Sequence, residues 1–246
     1  MAQLAAIDYN QAASSYAAHR RVHPGVFREL WERGQVESRS TVLEVGCGTG
    51  NYVGALVGYT NCRAWGLDPS VEMLAQACAR PEPVGWLLGR AERLGLAGES
   101  LDLVFSVDVI HHVVDKAAFY REAARTLQPD GQVCIITDSE EIIRQREVLS
   151  GYFPETVEVE LARYPRLGNL EGWMAEAGLA SLGTVVVEEP YEISSAQPYR
   201  DKAFSSLHLI PEEAWRAGLE RLEQALARGP IRGASRYACL WGRKEG

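Results

Sequence analysis

Short apolar runs alternate with amphipathic stretches from residue 41 onward, a pattern that predicts a largely parallel sheet covered by helices. The predicted strands span residues 41–46, 62–67, 84–88, 101–107, 132–137, 182–188 and 235–243. Helices are predicted at 50–58, 70–80, 115–127, 139–150, 168–178 and in a segment that begins at Pro211-Glu212-Glu213. Gln128-Pro129-Asp130-Gly131 predicts a turn before the fifth strand, because proline cannot continue a helix. The pattern therefore indicates an α/β protein.

The first predicted strand opens into a turn with three alternating glycines, Gly46, Gly48 and Gly50. Glycine lets a ligand approach the main chain closely, so a flat polar ligand is expected there. The dinucleotide fingerprint requires the spacing Gly-x-Gly-x-x-Gly, whereas this turn has Gly-x-Gly-x-Gly and follows Glu44. A carboxylate at this place repels a pyrophosphate, so the turn favours a cationic ligand.

The bulk composition narrows the class of protein. The chain has 246 residues, 46% of them hydrophobic, and a net charge of −8, which favours one globular domain and argues against a nucleic-acid partner. The five cysteines are scattered without a Cys-x-x-Cys pair, which argues against a disulfide framework or a metal site. The sequence has no basic start followed by an apolar core and no bilayer-length apolar run. We therefore expect a cytoplasmic protein that does not enter a membrane.

The segment Glu44–Gly50 resembles motif I of the class I S-adenosylmethionine-dependent methyltransferases, and the resemblance continues through residue 137. In Gly66-Leu67-Asp68-Pro69-Ser70 an acid ends the second strand, where the family's carboxylate accepts hydrogen bonds from the ribose hydroxyls. An acid about 20 residues after the glycines is also geometrically suited to a ribose in the crevice. The resemblance implies a Rossmann-like fold, with a doubly wound, mostly parallel seven-stranded sheet, an antiparallel last strand and helices on both faces.

The same resemblance implies a set of residues that bind the cofactor S-adenosylmethionine. The set comprises Tyr16, Arg20, Glu44, Gly46, Cys47, Gly48, Asn51, Asp68, Pro69, Ala91, Glu92, Ser106 and Val107. Arg90 stands where many relatives have an aspartate that binds adenine, so backbone or Glu92 contacts must replace that bond. Tyr16 and Arg20 are expected to close over the methionyl end, since a guanidinium can donate two hydrogen bonds to a carboxylate. The alternative for Tyr16 and Arg20 is that residues 9–20 form an exposed helix with ordinary surface side chains. The alternative for Glu92 is that it only caps a turn.

A His-His pair follows the fourth predicted strand, in Ser106-Val107-Asp108-Val109-Ile110-His111-His112, as in small-molecule methyltransferases of this superfamily. The carboxyl end of a central strand faces the ligand crevice, so His111 and His112 are the candidate catalytic residues. An imidazole can remove a proton from an attacking hydroxyl, thiol or amine near neutral pH. A histidine that only holds its own loop by hydrogen bonding remains the alternative.

Residues 1–246 are expected to form a single methyltransferase domain with its cofactor-binding core at 41–137. A helical lid at 1–40 and helical insertions at 139–170 and 190–234 are expected to lie on the acceptor side. Six aromatic side chains in these insertions either line an apolar acceptor pocket or pack together: Tyr152, Phe153, Tyr164, Tyr191, Tyr199 and Phe204. The helix that begins at Pro211 either docks on the domain or covers the substrate.

These features predict an S-adenosylmethionine-dependent methyltransferase that transfers a methyl group to a small molecule by direct displacement, as a monomer or homodimer. A non-catalytic module that binds the cofactor is an alternative, because the sequence identifies no definite base. An NAD-dependent oxidoreductase shares the fold but conflicts with the glycine spacing.

Overall fold

The strands of residues 21–246, the part of the chain that the computed structural model describes, form one seven-stranded sheet in the order β3-β2-β1-β4-β5-β7-β6. The strands are β1 Thr41–Val45, β2 Arg63–Asp68, β3 Val84–Leu88, β4 Leu101–Val107, β5 Leu127–Thr137, β6 Leu179–Ile193 and β7 Ile231–Lys244. Neighbouring strands from β1 to β5 are parallel, and β7 is antiparallel to β5. The predicted fold, mostly parallel with an antiparallel last strand, is confirmed.

Most strands are joined by helices. The helices of the described residues are α1 Pro24–Arg28, α2 Asn51–Thr60, α3 Val71–Ala77, α4 Lys116–Thr126, α5 Glu140–Gln145, α6 Leu149–Tyr152, α7 Glu155–Arg163, α8 Leu167–Glu176, α9 Gln197–Arg200 and α10 Glu212–Leu226. A π-helical turn follows α1 at Glu29–Arg33, and short 3-10 helices lie at Ile110–His112 and Ser205–His208. Within residues 21–246, no helix combines the length and the apolar character needed to cross a bilayer.

Both faces of the sheet are covered by helices. Side chains of one strand point alternately to its two faces, and in β5 Val133 and Ile135 belong to one core cluster while Cys134 and Ile136 belong to the other. The first cluster contains side chains of α4 and α8, and the second contains side chains of α1 and α2. This double cover explains why the central strands are apolar on both sides.

One predicted helix, 139–150, is two helices in the structure. The chain leaves α5 at Arg146, whose backbone is extended, and resumes helical geometry in α6. The Arg146 guanidinium bonds to the buried carboxylates of Asp138 and Glu160. This tertiary network involves helix α7, which follows the break, so the local pattern of residues 139–150 does not indicate where the helix ends.

The last three strands along the chain, β5, β6 and β7, are longer than predicted. Leu127 already pairs with Leu101, and the next paired residue along β5 is Gln132 opposite Leu103. The predicted turn at residues 128–131 is therefore a bulge inside β5. Much of β6 alternates between half-buried and exposed residues, so its outer parts lack the apolar run that a sequence prediction detects.

The chain divides into two compact units. Residues 21–137, 165–187 and 237–246 belong to the sheet unit, and residues 138–164 and 188–236 belong to the helical unit. The helical unit has its own apolar cluster around Phe153, Leu207 and Leu222. In it Tyr199 stacks between Phe153 and Phe204, with ring centroids 5.7 and 5.1 Å apart, so these three aromatics pack together. The predicted division into lid, core and acceptor-side insertions stays a prediction.

A glycine substitution in the helical unit, with a control substitution in the sheet unit, tests the packing around Phe153. A Cβ on Gly218 of α10 would lie 2.3 Å from Cδ1 of the buried Phe153, whereas a Cβ on Gly172 of α8 meets nothing within 4 Å. We expect Gly218→Ala to lower the free energy of unfolding by about 1 to 3 kcal/mol through overpacking. Gly172→Ala should raise it by up to about 1 kcal/mol through helix propensity. Urea unfolding followed by circular dichroism measures both, and equal stability of the two variants would contradict this packing.

Candidate functional site

The candidate site lies where the order of strands in the sheet reverses. β1 is flanked by β2 and β4, so the chain proceeds from β1 toward one edge of the sheet and then crosses to the other side. The loops after β1 and β4 diverge at this point, and a crevice opens at the carboxyl ends of the strands. The glycine turn follows β1, and the His-His pair follows β4.

The glycine turn adopts a conformation that other residues rarely adopt. Gly46, Gly48 and Gly50 have φ angles of 70°, 53° and 76°, all in the left-handed region. The N–H groups of Gly46 and Cys47 both donate to the carbonyl oxygen of Leu67, at 2.7 and 3.0 Å. The turn is thereby tied to β2 before helix α2 begins.

Packing inside the protein also requires two of these glycines. A Cβ on Gly46 would lie 2.5 Å from both methyl groups of Val109, and a Cβ on Gly50 would lie 2.3 Å from the indole ring of Trp86. The same indole ring covers Gly66 of β2, where a Cβ would lie 2.6 Å away. Ligand approach is therefore not the sole reason for glycine here, and the sequence prediction missed Val109 and Trp86.

Asp68 holds the middle of the turn. The N–H of Gly48 donates to Oδ2 of Asp68 at 2.8 Å, and the N–H of Ser70 donates to Oδ1 at 2.9 Å. Burial raises the pKa of Asp68, and these two hydrogen bonds oppose that rise. A carboxylate has about four acceptor positions, so each oxygen of Asp68 retains one for a further donor. The carboxylate thus meets the chemical requirement for binding two ribose hydroxyls.

Glu44 lies beneath the first turn of α2. Its side chain is buried, and its Oε2 accepts a hydrogen bond from the N–H of Val53 at 2.9 Å. Burial raises the pKa of Glu44 from 4.5 to about 8, Asp68 adds to the rise, and the Val53 bond and Arg80 oppose it. The buried side chain of Glu44 therefore satisfies the N–H group of Val53, one of the N–H groups in the first turn of α2 that have no partner within the helix.

Cys47 and Asn51 flank the turn. Cys47 is buried, and burial together with the nearby carboxylates of Glu44 and Asp68 raises the pKa of its thiol. The thiol is therefore neutral, which is unsuited to nucleophilic attack. Asn51 is the first residue of α2, and its Oδ1 accepts a hydrogen bond from Arg80 at 3.1 Å.

A crevice beside the glycine turn brings several predicted residues together. Its walls are formed by Val45, Gly46, Leu67, Pro69, Arg90, Ala91, Glu92, Val109, His112 and Val113. Five of these were predicted as site residues, namely Gly46, Pro69, Ala91, Glu92 and His112. The apolar wall residues that were not predicted lie at or just after the ends of strands. An apolar residue at such a position does not reveal from the sequence alone that it lines a crevice.

Glu92 joins two loops at the mouth of the crevice. Its Oε1 accepts hydrogen bonds from the N–H groups of Val114 and Asp115 at 3.0 and 3.3 Å. Burial raises its pKa, but backbone hydrogen bonds and the Arg90 guanidinium, 3.7 Å from Oε2, lower it and prevail. Glu92 is therefore ionised at neutral pH, and it holds the loop after β4.

The two histidines occupy different positions. His112 lines the crevice, whereas the side chain of His111 is 3% exposed and is not one of the crevice walls. The centroids of the two rings are 3.9 Å apart. Nδ1 of His111 is 3.9 Å from Oδ1 of Asp108. Asp108 has a φ angle of 58°, an uncommon conformation for a residue with a side chain, and the sequence prediction did not single it out.

The remaining predicted residues are placed as follows. Ser106 is buried, and its hydroxyl has no hydrogen-bond partner among residues 21–246. Val107 packs against the cluster formed with α1 and α2, and neither residue belongs to the crevice walls. Tyr16 and Arg20 lie outside the described residues. A search of residues 21–246 finds no group of three or more His, Cys, Asp or Glu side chains able to hold a metal ion.

Comparison with protein families matches residues 43–135 to the family described as a methyltransferase domain. Over these residues the chain is similar to a methyltransferase domain. A curated relative, the ubiquinone biosynthesis O-methyltransferase of Methylobacterium sp. (strain 4-46), is 34% identical over 95 residues. That alignment covers 37% of this chain and 38% of the relative, so the chain matches less than half of the relative's length.

Solved structures resemble this chain at the level of fold. The Haemonchus contortus phospholethanolamine N-methyltransferase 2, solved with S-adenosylhomocysteine, has a TM-score of 0.61 at 17% identity, covering 96% of this chain and 58% of that chain. The cyclase SpnF has a TM-score of 0.63 at 18% identity, covering 96% of this chain and 93% of that chain. The fold of this chain is thus shared by proteins whose names describe different reactions.

The buried Glu44 predicts a pH-dependent stability of the free protein. The folded state keeps Glu44 protonated up to a pH of about 8, whereas the unfolded chain releases that proton near pH 4.5. The folded state binds more protons between these values, so the free energy of unfolding falls as the pH rises from 5 to 8. A shift of this size corresponds to at most about 5 kcal/mol.

Glu44→Gln tests this dependence, because a glutamine mimics the protonated acid and still accepts the Val53 N–H. We expect the variant to lose part of the fall in stability between pH 5 and 8, measured by urea unfolding at both values. Parallel pH profiles of wild type and variant would show that Glu44 is not the group responsible.

Proposed function

We propose that this protein transfers a methyl group from S-adenosylmethionine to a small-molecule acceptor by direct displacement. The observation that carries the proposal is the Asp68 carboxylate, which bonds to the N–H of Gly48 at 2.8 Å beside a crevice lined by Pro69 and Ala91. The match of residues 43–135 to a methyltransferase domain supports it. The spacing Gly-x-Gly-x-Gly at the turn supports it as well, because a dinucleotide site requires Gly-x-Gly-x-x-Gly.

The residues of the crevice suit the cofactor. The apolar walls at Leu67, Val109 and Val113 suit a flat base. Asp68 is not itself a wall of the crevice, but it directly precedes the wall residue Pro69 and retains acceptor positions for ribose hydroxyls. Arg90 and Glu92 stand at the same crevice, where Arg90 replaces the acid of many relatives. When bound, S-adenosylmethionine supplies a methyl group on a sulfonium, which an acceptor atom can attack.

The protein's main contribution to the reaction is to hold the acceptor in line behind the methyl group and to exclude water. Positioning of this kind can supply roughly 7 to 11 kcal/mol of barrier reduction. His111 or His112 accepts the acceptor's proton where the acceptor has one to lose. His112 lines the crevice and is therefore placed for this role, whereas the side chain of His111 is 3% exposed.

Calorimetry with S-adenosylmethionine and S-adenosylhomocysteine tests the cofactor. We expect wild type to bind both, and Asp68→Asn to bind about 10- to 100-fold more weakly, because hydrogen bonds to a charged group are lost. Asp102→Asn is the matched control: Asp102 also accepts a backbone hydrogen bond, from Thr41 at 2.7 Å, but it lies near the amino end of β4. The absence of binding to wild type, or equal binding by Asp68→Asn, contradicts the proposed site.

Turnover distinguishes an enzyme from a module that only binds the cofactor, and from a cyclase of the same fold. Purified protein is added to cell extract with methyl-deuterated S-adenosylmethionine, and mass spectrometry searches for a metabolite that gains the labelled methyl group. We expect such a product, with slower formation by His112→Gln than by wild type at saturating cofactor. Cofactor binding without any labelled product would favour the non-catalytic alternative.

A further inference from the structure

A loop after helix α3 contains an arginine whose guanidinium is held on two sides. Arg80 lies next to Pro81-Glu82-Pro83, and the two prolines restrict the backbone around Glu82. Nε of Arg80 is 3.2 Å from Oε2 of Glu82, and Nη2 is 3.4 Å from Oε1. The two parallel bonds fix the plane of the guanidinium, because a carboxylate matches its fork.

The other side of this guanidinium contacts the first turn of α2. Nη1 of Arg80 donates to Oδ1 of Asn51 at 3.1 Å. One turn further along α2, a Cβ on Gly54 would lie 2.8 Å from Nε and 3.0 Å from Nη2. The guanidinium therefore lies directly against the helix backbone, and only glycine at position 54 permits this approach.

The start of α2 is thus anchored at two points. Glu44 bonds to the N–H of Val53 from within the sheet unit, and Arg80 bonds to the side chain of Asn51. The glycine turn before α2 has three residues in the left-handed region, and glycine loses the most conformational freedom on folding. Such a turn depends on fixed neighbours to keep one geometry. The charge of Arg80 also lowers the pKa of Glu44, which links the two anchors electrostatically.

We propose that Arg80 is a positioning residue of the cofactor site, which holds the glycine turn and Asn51 in the geometry that binds S-adenosylmethionine. The inference rests on the proposed function. Arg80 acts through Asn51 and the helix start, with Glu82 as its own support. Loop residues 80–83 thereby belong to the cofactor site although they follow a different helix.

The test measures the dissociation constant of S-adenosylhomocysteine by calorimetry for wild type and Arg80→Ala, together with the thermal midpoint of each protein. We expect Arg80→Ala to bind about 5- to 30-fold more weakly, since it loses hydrogen bonds of a charged group. Arg80→Lys keeps the charge without the fork and should recover part of this loss. Arg125→Ala is the matched control, because Arg125 forms a similar fork with Glu122 at the end of α4 and should leave binding unchanged.

A double-mutant cycle with Gly54→Ala separates positioning from general stability. In wild type the added methyl group pushes against the guanidinium, so Gly54→Ala should weaken binding. In the Arg80→Ala background the obstacle is gone, and the same substitution should leave binding unchanged or improve it through helix propensity. This reversal is not expected from a substitution that only destabilises the fold.

The outcomes distinguish failure of the proposed function from failure of the role assigned to Arg80. If wild type does not bind S-adenosylhomocysteine, the proposed function fails. If wild type binds and Arg80→Ala binds equally well, or if Gly54→Ala has the same effect in both backgrounds, only the role of Arg80 is overturned. Should Arg80→Ala fail to fold, the Arg80→Lys and Gly54→Ala variants decide the question. If both bind S-adenosylhomocysteine as tightly as wild type, the proposal is overturned. If both bind it more weakly while their thermal midpoints are unchanged, the proposal is supported.

Discussion

The candidate site depends on the hydrogen bond between the N–H of Gly48 and the carboxylate of Asp68. It joins the turn after β1 to the end of β2, and the bonds from Gly46 and Cys47 to the Leu67 carbonyl reinforce the connection. Because three glycines make the turn intrinsically flexible, this connection determines where the backbone lies. The position of the crevice beside Gly46 and Pro69 follows from it.

The electrostatics of the turn follow from two buried acids. Glu44 and Asp68 both lie below the protein surface, and burial raises the pKa of each. The desolvation cost is offset for Asp68 by two backbone hydrogen bonds and for Glu44 by one. Glu44 is therefore protonated at neutral pH, so the glycine spacing, and not repulsion by Glu44, argues against a dinucleotide.

Features of the structure that depend on neighbouring residues in the chain can be predicted from the sequence. The strand pattern from residue 41, the glycine turn and Asp68 are local signals, and the parallel sheet with its crevice follows from them. Trp86 and Arg80 have no such signal, because their importance arises from packing against Gly50 and Gly54, which are distant in sequence. The break at Arg146 likewise depends on partners elsewhere in the helical unit. Sequence patterns therefore indicate the strands and the glycine turn better than they indicate which side chains support that turn.

The most direct test of the account is a crystal structure of the protein with S-adenosylhomocysteine. We predict that the ribose hydroxyls donate hydrogen bonds to Asp68 and that the base lies between Pro69, Ala91 and Val109. The N–H of Gly48 should still donate to Asp68. Ligand bound elsewhere, or an Asp68 carboxylate that has left the Gly48 amide, would contradict the claim that this carboxylate-held turn is the cofactor site.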